Sequence, residues 1–220
     1  LADSRASLQQ WQQDLENVVF MGPLGSMGDK SRRLQALAEY MDEQLTTGMS
    51  GDVQRAAAVC KADLVSEMVG EFDNLQGVMG GIYARQKGEP ENVARAVEEH
   101  YQPEGPESPV PRSTSGAMLS IADKMDNLAG SFSLNLIPTG AQDPYALRRQ
   151  ALGIIRVLLE KGLRIPLPEL IDRALKNYQG IEARLGPQEC RNSLLEFFRQ
   201  RMRAHYLGQG FPTRIVDAAI

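Results

Sequence analysis

No run of this 220-residue chain alternates apolar and polar side chains for long enough to make a strand, which narrows what it can fold into. Apolar residues return every three or four positions instead, the spacing that lines one face of a helix. Leu8, Trp11, Leu15 and Val18/Val19 predict a helix over 5–20 with the single Trp in the core. Leu34, Leu37, Ala38, Met41 and Leu45 predict a second over 30–46, started by Asp29 as N-cap and closed by Thr46, Thr47 and Gly48. Val53 to Val69 reads as a third, largely buried helix, interrupted by Lys61, Asp63 and Glu67. The block from Gln76 to Gly81 is too rich in glycine for a helix interior and reads as a turn opening a helix through Tyr83 and Ala84. Helices follow at 91–100, 117–132, 143–161, 167–178 and 188–207, and 101–116, with four prolines, reads as a loop. The chain is all-α on this reading.

The stretch Pro138-Thr139-Gly140-Ala141-Gln142-Asp143-Pro144-Tyr145-Ala146-Leu147-Arg148-Arg149 organises the second half. Pro138 and Gly140 mark a turn. Asp143 followed by Pro144 is a helix start, with a side-chain acceptor at the N-cap and no amide to satisfy after it. Leu147, Ala151, Ile154, Ile155 and Leu158 then share an apolar face, while Tyr145, Arg149, Gly153 and Arg156 share another with Arg148 at its flank. A glycine inside a helix costs about 1 kcal/mol against alanine, so something approaches the backbone at Gly153. Either a neighbouring helix does so and the arginines face water, or the arginines and Gly153 together receive a ligand.

The formal charge of −4 and the pI near 5.3 argue against indiscriminate binding to nucleic acid. Its distribution is uneven. Residues 1–143 hold 11 basic and 21 acidic side chains, residues 144–205 hold 12 and 6, and the last 15 balance. An acidic front and a basic back suit a chain that turns one face to a polyanion. The 188–207 helix adds Arg191, Arg199, Arg201, Arg203 and His205 around an apolar face of Leu194, Leu195, Phe198, Met202 and Tyr206. Phe197 and Tyr206 offer stacking surface for bases or pack on a further domain. Cys60 and Cys190 lack Cys-x-x-Cys spacing and read as reduced structural thiols of a cytoplasmic protein. No apolar run reaches 18 residues and no charged-then-apolar leader is present, the pattern of a soluble chain that is not secreted.

The run PTGAQDPYALRRQALGIIR resembles the PTGSxDPFALRR segment of the β subunit of bacterial glycyl-tRNA synthetase, the tetrameric form of that ligase. Further blocks resemble the same subunit in the same order: LGSMGDKSRRLQALA (24–38), CKADLVSEMVGEFDNLQGVMGGIYA (60–84), EHYQP with a proline-rich loop, SIADKMDNLAGSF (120–132) and GQGFPTRIVDAAI (208–220). Because the family subunit is several times longer and this chain begins at Leu1, it reads as an internal fragment. The resemblance implies a degenerate HD-like helical domain over 1–165 and a helical extension over 166–220. It implies a tRNA-handling module, at the acceptor arm, whose partners are the α subunit and tRNA-Gly in an α2β2 tetramer. ATP and Mg are used by the α subunit, with no cofactor in this part and no membrane. Departures are visible: Gln142 stands where Lys is common, Tyr145 replaces Phe, and Pro103-Glu104-Gly105-Pro106 replaces a basic and aromatic run.

The pattern of helix two, Asp63, His100 and Asp123 also resembles the HD metal phosphohydrolases, which hold divalent metal with a His, a His-Asp dyad and a later Asp. The imidazoles are missing. The first His position falls on or near Lys30, the dyad's His falls on Ala62 beside Lys61, and His100 and His205 fall elsewhere. Asp63 and Asp123 are therefore expected to be vestigial, holding no metal and doing no catalysis, and to act as buried acceptors neutralised by Lys61, Lys124 or backbone amides. The alternative places Lys61 and Lys124 beside the old pocket, touching phosphates. Arg148, Arg149, Arg156, Lys124 and Lys61 are accordingly the candidate RNA-binding residues. Two other functions remain open: a scaffold for α/β subunit assembly that touches no RNA, and an active HD phosphohydrolase.

Overall fold

The computed structural model describes residues 2–140 and 142–220, so Ala141 of the central stretch and Leu1 lie outside it. Among the described residues there are helices and turns but no strand, only an isolated bridge between Val19 and Ser26. The helices are α1 Ala2–Arg5, α2 Leu8–Asp14, α3 Met27–Leu45, α4 Ser50–Val59, α5 Glu67–Glu71 and α6 Val78–Gln86. They continue with α7 Glu91–Glu99, α8 Thr114–Ser133, α9 Leu147–Glu160, α10 Leu167–Lys176, α11 Pro187–Gly208 and α12 Thr213–Ala219. None of them is long and apolar enough to cross a membrane.

The bundle is built around α8. Its small residues, among them Gly116, Ala117, Ser120, Ala122, Ala129 and Gly130, let neighbours approach from every side, and all but its first residue and Asn127 are buried. α3, α4, α7, α9, α10 and α11 pack against it. One cluster of buried apolar side chains runs from Leu8 and Trp11 through Leu34, Met41, Met125 and Phe132 to Ile154, Leu170 and Phe198. Residues on both sides of position 165 thus share a core. Both cysteines are free and buried within it.

Several predicted elements come out differently. Residues 5–20 are not one helix: the Ser7 side chain accepts from the Gln10 amide and restarts the chain as α2, which ends in a single tight turn at Asn17. Val19 is consequently 72% exposed, and Phe20 enters the core. α3 is capped by Ser26, not Asp29. The Ser26 hydroxyl accepts from the Asp29 amide at 3.0 Å while the Asp29 carboxylate accepts from the Ser26 amide at 2.9 Å, a reciprocal cap. The Val53–Val69 stretch breaks at Cys60 into α4, one turn over Ala62–Val65 and α5, which Ser66 caps. In the glycine block only Gly77, at φ +81°, makes the turn. Gly80 and Gly81 lie inside α6, because a Cβ there would meet Val97 at 2.9 Å and Glu98 at 2.7 Å on α7. Asp143 caps α9 from further out than predicted: its carboxylate accepts from the amides of Leu147 at 2.7 Å and Arg148 at 3.0 Å, after Ala146 at φ +54°. α12 had no forecast.

Candidate functional site

Three charged residues of α8, Asp123, Lys124 and Asp126, are buried, and their partners come from across the chain. Asp123 receives Lys30 Nζ at 2.9 Å on one oxygen and Lys61 Nζ at 3.0 Å on the other. Asp126 receives Lys30 Nζ at 3.0 Å and Arg33 Nε at 2.8 Å. Three cations thus share two carboxylates, and the surplus charge is spread over aromatic faces. Lys30 lies 4.7 Å from the Phe20 ring, Arg33 4.5 Å from Tyr178 and Lys61 3.9 Å from Tyr101. Burial would raise the Asp123 pKa, but Lys30 and Lys61 more than offset it and hold it far below the usual carboxylate range. Burial works against the Lys61 ammonium too, and Asp123 outweighs it, so that ammonium stays charged at any physiological pH.

His100, set aside in the sequence reading, sits in this cluster. Its Nδ1 lies 2.6 Å from the Val97 carbonyl and donates to it, which leaves Nε2 to accept from Lys61 Nζ at 2.8 Å. Burial first, and the Lys61 charge second, push its pKa well below 6.5, so the ring is neutral. The Asp63 carboxylate accepts from the amides of Gly77 at 2.6 Å and Gly80 at 3.0 Å, fastening the start of α6. Asp63 and Asp123 are both buried acceptors: lysines pair with Asp123, while the two amides share one oxygen of Asp63 and leave its Oδ1 without a described partner. Both oxygens of Asp123 and the free lone pair of His100 are taken by ammonium groups, so this donor set does not fit a divalent ion. Among the described residues, no group of three His, Cys, Asp or Glu side chains is placed to hold one.

The candidate RNA contacts divide into a buried pair and a surface set. Lys61 is buried with its charge satisfied. Lys124 is buried as well, its ammonium held by the carbonyls of His100, Tyr101 and Gln102 at 3.3, 3.1 and 2.9 Å and by Ser120 Oγ at 2.9 Å. Burial pulls its pKa down to about 7, while three converging carbonyl dipoles favour the charged form. Neither lysine reaches a phosphate from these positions, which corrects their place among the RNA contacts. The same lysine explains Gly153: a Cβ there would sit 3.1 Å from Lys124 Cε and 3.5 Å from Pro103, so Gly153 admits the lysine stem. Phe197, considered for base stacking, packs edge-on against Phe132 in the core.

Arg148, Arg149 and Arg156 stay at the surface along α9, facing α11 across a groove of about 530 Å3. Arg156 donates to the carbonyls of Gly105, Pro106 and Ser108 at 2.7–3.2 Å and pairs with Glu160, clamping the proline-rich loop. Arg148 donates to the carbonyls of Gly140 and Gln142 and so ties down the turn before α9. Arg149 is exposed and bonds to no described residue. From α11, Arg201 enters the same groove with a buried Nε that has no hydrogen-bond partner. Burial, then the like charge of Arg148, lowers the Arg201 pKa. The other α11 arginines have acids: Arg191 pairs with Asp172, Arg203 with Asp217, and Arg199 loosely with Glu196. Glu107 and Glu160 line the groove too, but four arginines outnumber these two acids, and the net positive charge favours an anion between them. A larger hollow of about 870 Å3 runs along the 178–191 loop, away from these groups.

Comparison with known sequences agrees with the blocks read above. The family model described as the glycyl-tRNA synthetase beta subunit matches residues 1–220. The glycine–tRNA ligase beta subunit of Nitratidesulfovibrio vulgaris strain Miyazaki F is 54% identical over 218 residues, 99% of this chain and 31% of that protein. The subunits so named from Acidithiobacillus ferrooxidans and Lawsonia intracellularis are 46% and 44% identical over 218 residues, again covering 99% of this chain and 31% of theirs. The chain thus spans about a third of the length of the relatives it matches. Matched from end to end, it belongs to the glycyl-tRNA synthetase β-subunit family.

Proposed function

We propose that this chain is the tRNA-handling module of a glycine–tRNA ligase, gripping the acceptor arm of tRNA-Gly along the groove between α9 and α11. Glycine activation with ATP and Mg then belongs to an α subunit, joined to it in a cytoplasmic α2β2 assembly. The observation that carries the reading is the set of arginines at that groove. Arg149 bonds to no described residue, Arg201 has a buried Nε without a described hydrogen-bond partner, and Arg148 repels Arg201 across the gap. A row of phosphates supplies the missing counter-charge, and its release of bound counterions adds affinity. The framework is a degenerate HD-like bundle on this reading, with Lys30 and Lys61 in place of metal. The decisive experiment compares tRNA affinity with subunit assembly for Arg148→Ala/Arg149→Ala in the full-length chain. Weakened tRNA binding with an intact assembly supports the reading, and normal binding with a broken assembly refutes it.

A scaffold for subunit assembly is the second reading. Met68 of α5, Phe72 just after its end, and Val78 and Ile82 on one face of α6 are all between 37% and 51% exposed. Such apolar faces mark protein contacts. The two readings use different faces of the molecule, and the same double variant separates them.

A further inference from the structure

Arg149 borders two hollows. On one side it closes the α9–α11 groove, and on the other it stands at a cavity of about 420 Å3 with Asp123 and Lys124 at its floor. The walls of this second cavity are the 74–76 turn, the 101–104 loop and the first turn of α9. The floor offers no free charge, since Lys124 is saturated by carbonyls and Asp123 by two ammonium groups. A metal ion or a free phosphate therefore finds little there.

The walls offer hydrogen bonds instead. Asn127 and Gln150 bond to each other at 2.8 Å and further to Lys30 and the Tyr145 carbonyl, so both are committed. Asn74 and Gln76 are exposed on the opposite wall and bond to no described residue. A carboxamide presents an acceptor and a donor side by side, the combination that matches the edge of a nucleobase. Pro103 and the edge of Tyr101, whose ring already packs against Lys61 and His100, line the wall between them, Glu104 adds a carboxylate, and Arg149 adds a guanidinium at the rim. Cavities that enclose small ligands begin at about 300 Å3, so one nucleotide fits and a duplex does not.

We propose that this cavity takes one unpaired nucleotide of the RNA, its base edge read by Asn74 and Gln76 and its phosphate on Arg149. The inference rests on the tRNA reading above. Because Arg149 borders both hollows, a strand running along the α9–α11 groove delivers its next unpaired residue here.

The test uses the full-length chain with its catalytic partner and measures affinity for tRNA-Gly and for versions with each unpaired nucleotide changed in turn. The Asn74→Ala/Gln76→Ala variant is expected to bind unaltered tRNA roughly tenfold more weakly, about 1.4 kcal/mol. It is also expected to lose discrimination at one unpaired position and to keep its salt dependence, because no phosphate contact is removed. Unchanged affinity and discrimination, or a loss equal for every version, overturns the proposal. If Arg148→Ala/Arg149→Ala still weakens binding in that case, the tRNA reading survives without the pocket. If that variant also binds normally, both fall.

Discussion

Replacing Lys61 by Ala leaves Asp123 facing one ammonium instead of two and takes the donor from His100 Nε2. Breaking a buried ion pair in this way costs on the order of 3–5 kcal/mol, so Lys61→Ala is expected to shift the urea midpoint strongly without changing the salt slope of tRNA binding. His100 supplies a pH dependence of known sign. Its folded pKa is depressed, so the contribution of its neutral form is complete above about 6.5 and is lost as pH falls below that value. Asp123 adds to the loss below about 3.8. His100→Gln is expected to flatten the stability curve below about pH 6.5, checked by denaturant melts on both sides of that value. Part of this cluster was legible in sequence. Lys30 falls four residues before Leu34, on the same stripe as Leu37, Ala38 and Met41, and a lysine on an apolar stripe must find a buried acid. His100 gave no such signal, because Lys61, the partner of its Nε2, lies far away in sequence, just past the end of α4.

Gly153 shows two terms of opposite sign within one helix. Alanine would favour α9 by about 1 kcal/mol, but its methyl would press on the Lys124 stem, whose ammonium is pinned by four acceptors and cannot swing aside. Overpacking of this kind costs about 1–3 kcal/mol, so Gly153→Ala is expected to lower the melting temperature. Asp143→Ala removes the acceptor for two orphan amides of α9 and is expected to cost about 1 kcal/mol, measured by denaturant unfolding. Helix existence was legible wherever an apolar stripe ran long, as in α3, α8, α9 and α11. The boundaries were not, because they follow side-chain acceptors that the stripe does not encode. Ser7, Ser26 and Ser66 each start a helix, and Asp63 reaches 14 residues ahead to hold the amide that opens α6.

Across the whole molecule the charge asymmetry is real but misleading in detail. The basic half of the sequence does supply the groove arginines, yet three of the basic residues on α11 already have acids beside them. Lys30, Lys61 and Lys124 of the acidic half are buried in the core, and composition does not separate a buried cation from one facing solvent. Arg201 was the missed contributor, visible only once α9 and α11 were placed side by side. The most direct test titrates tRNA-Gly against the full-length enzyme across a series of salt concentrations, with and without Arg148→Ala, Arg149→Ala and Arg201→Ala together. The groove account predicts weaker binding and a log–log salt slope smaller by roughly one for each phosphate contact removed, up to three. A slope and an affinity equal to those of the unaltered enzyme would contradict it.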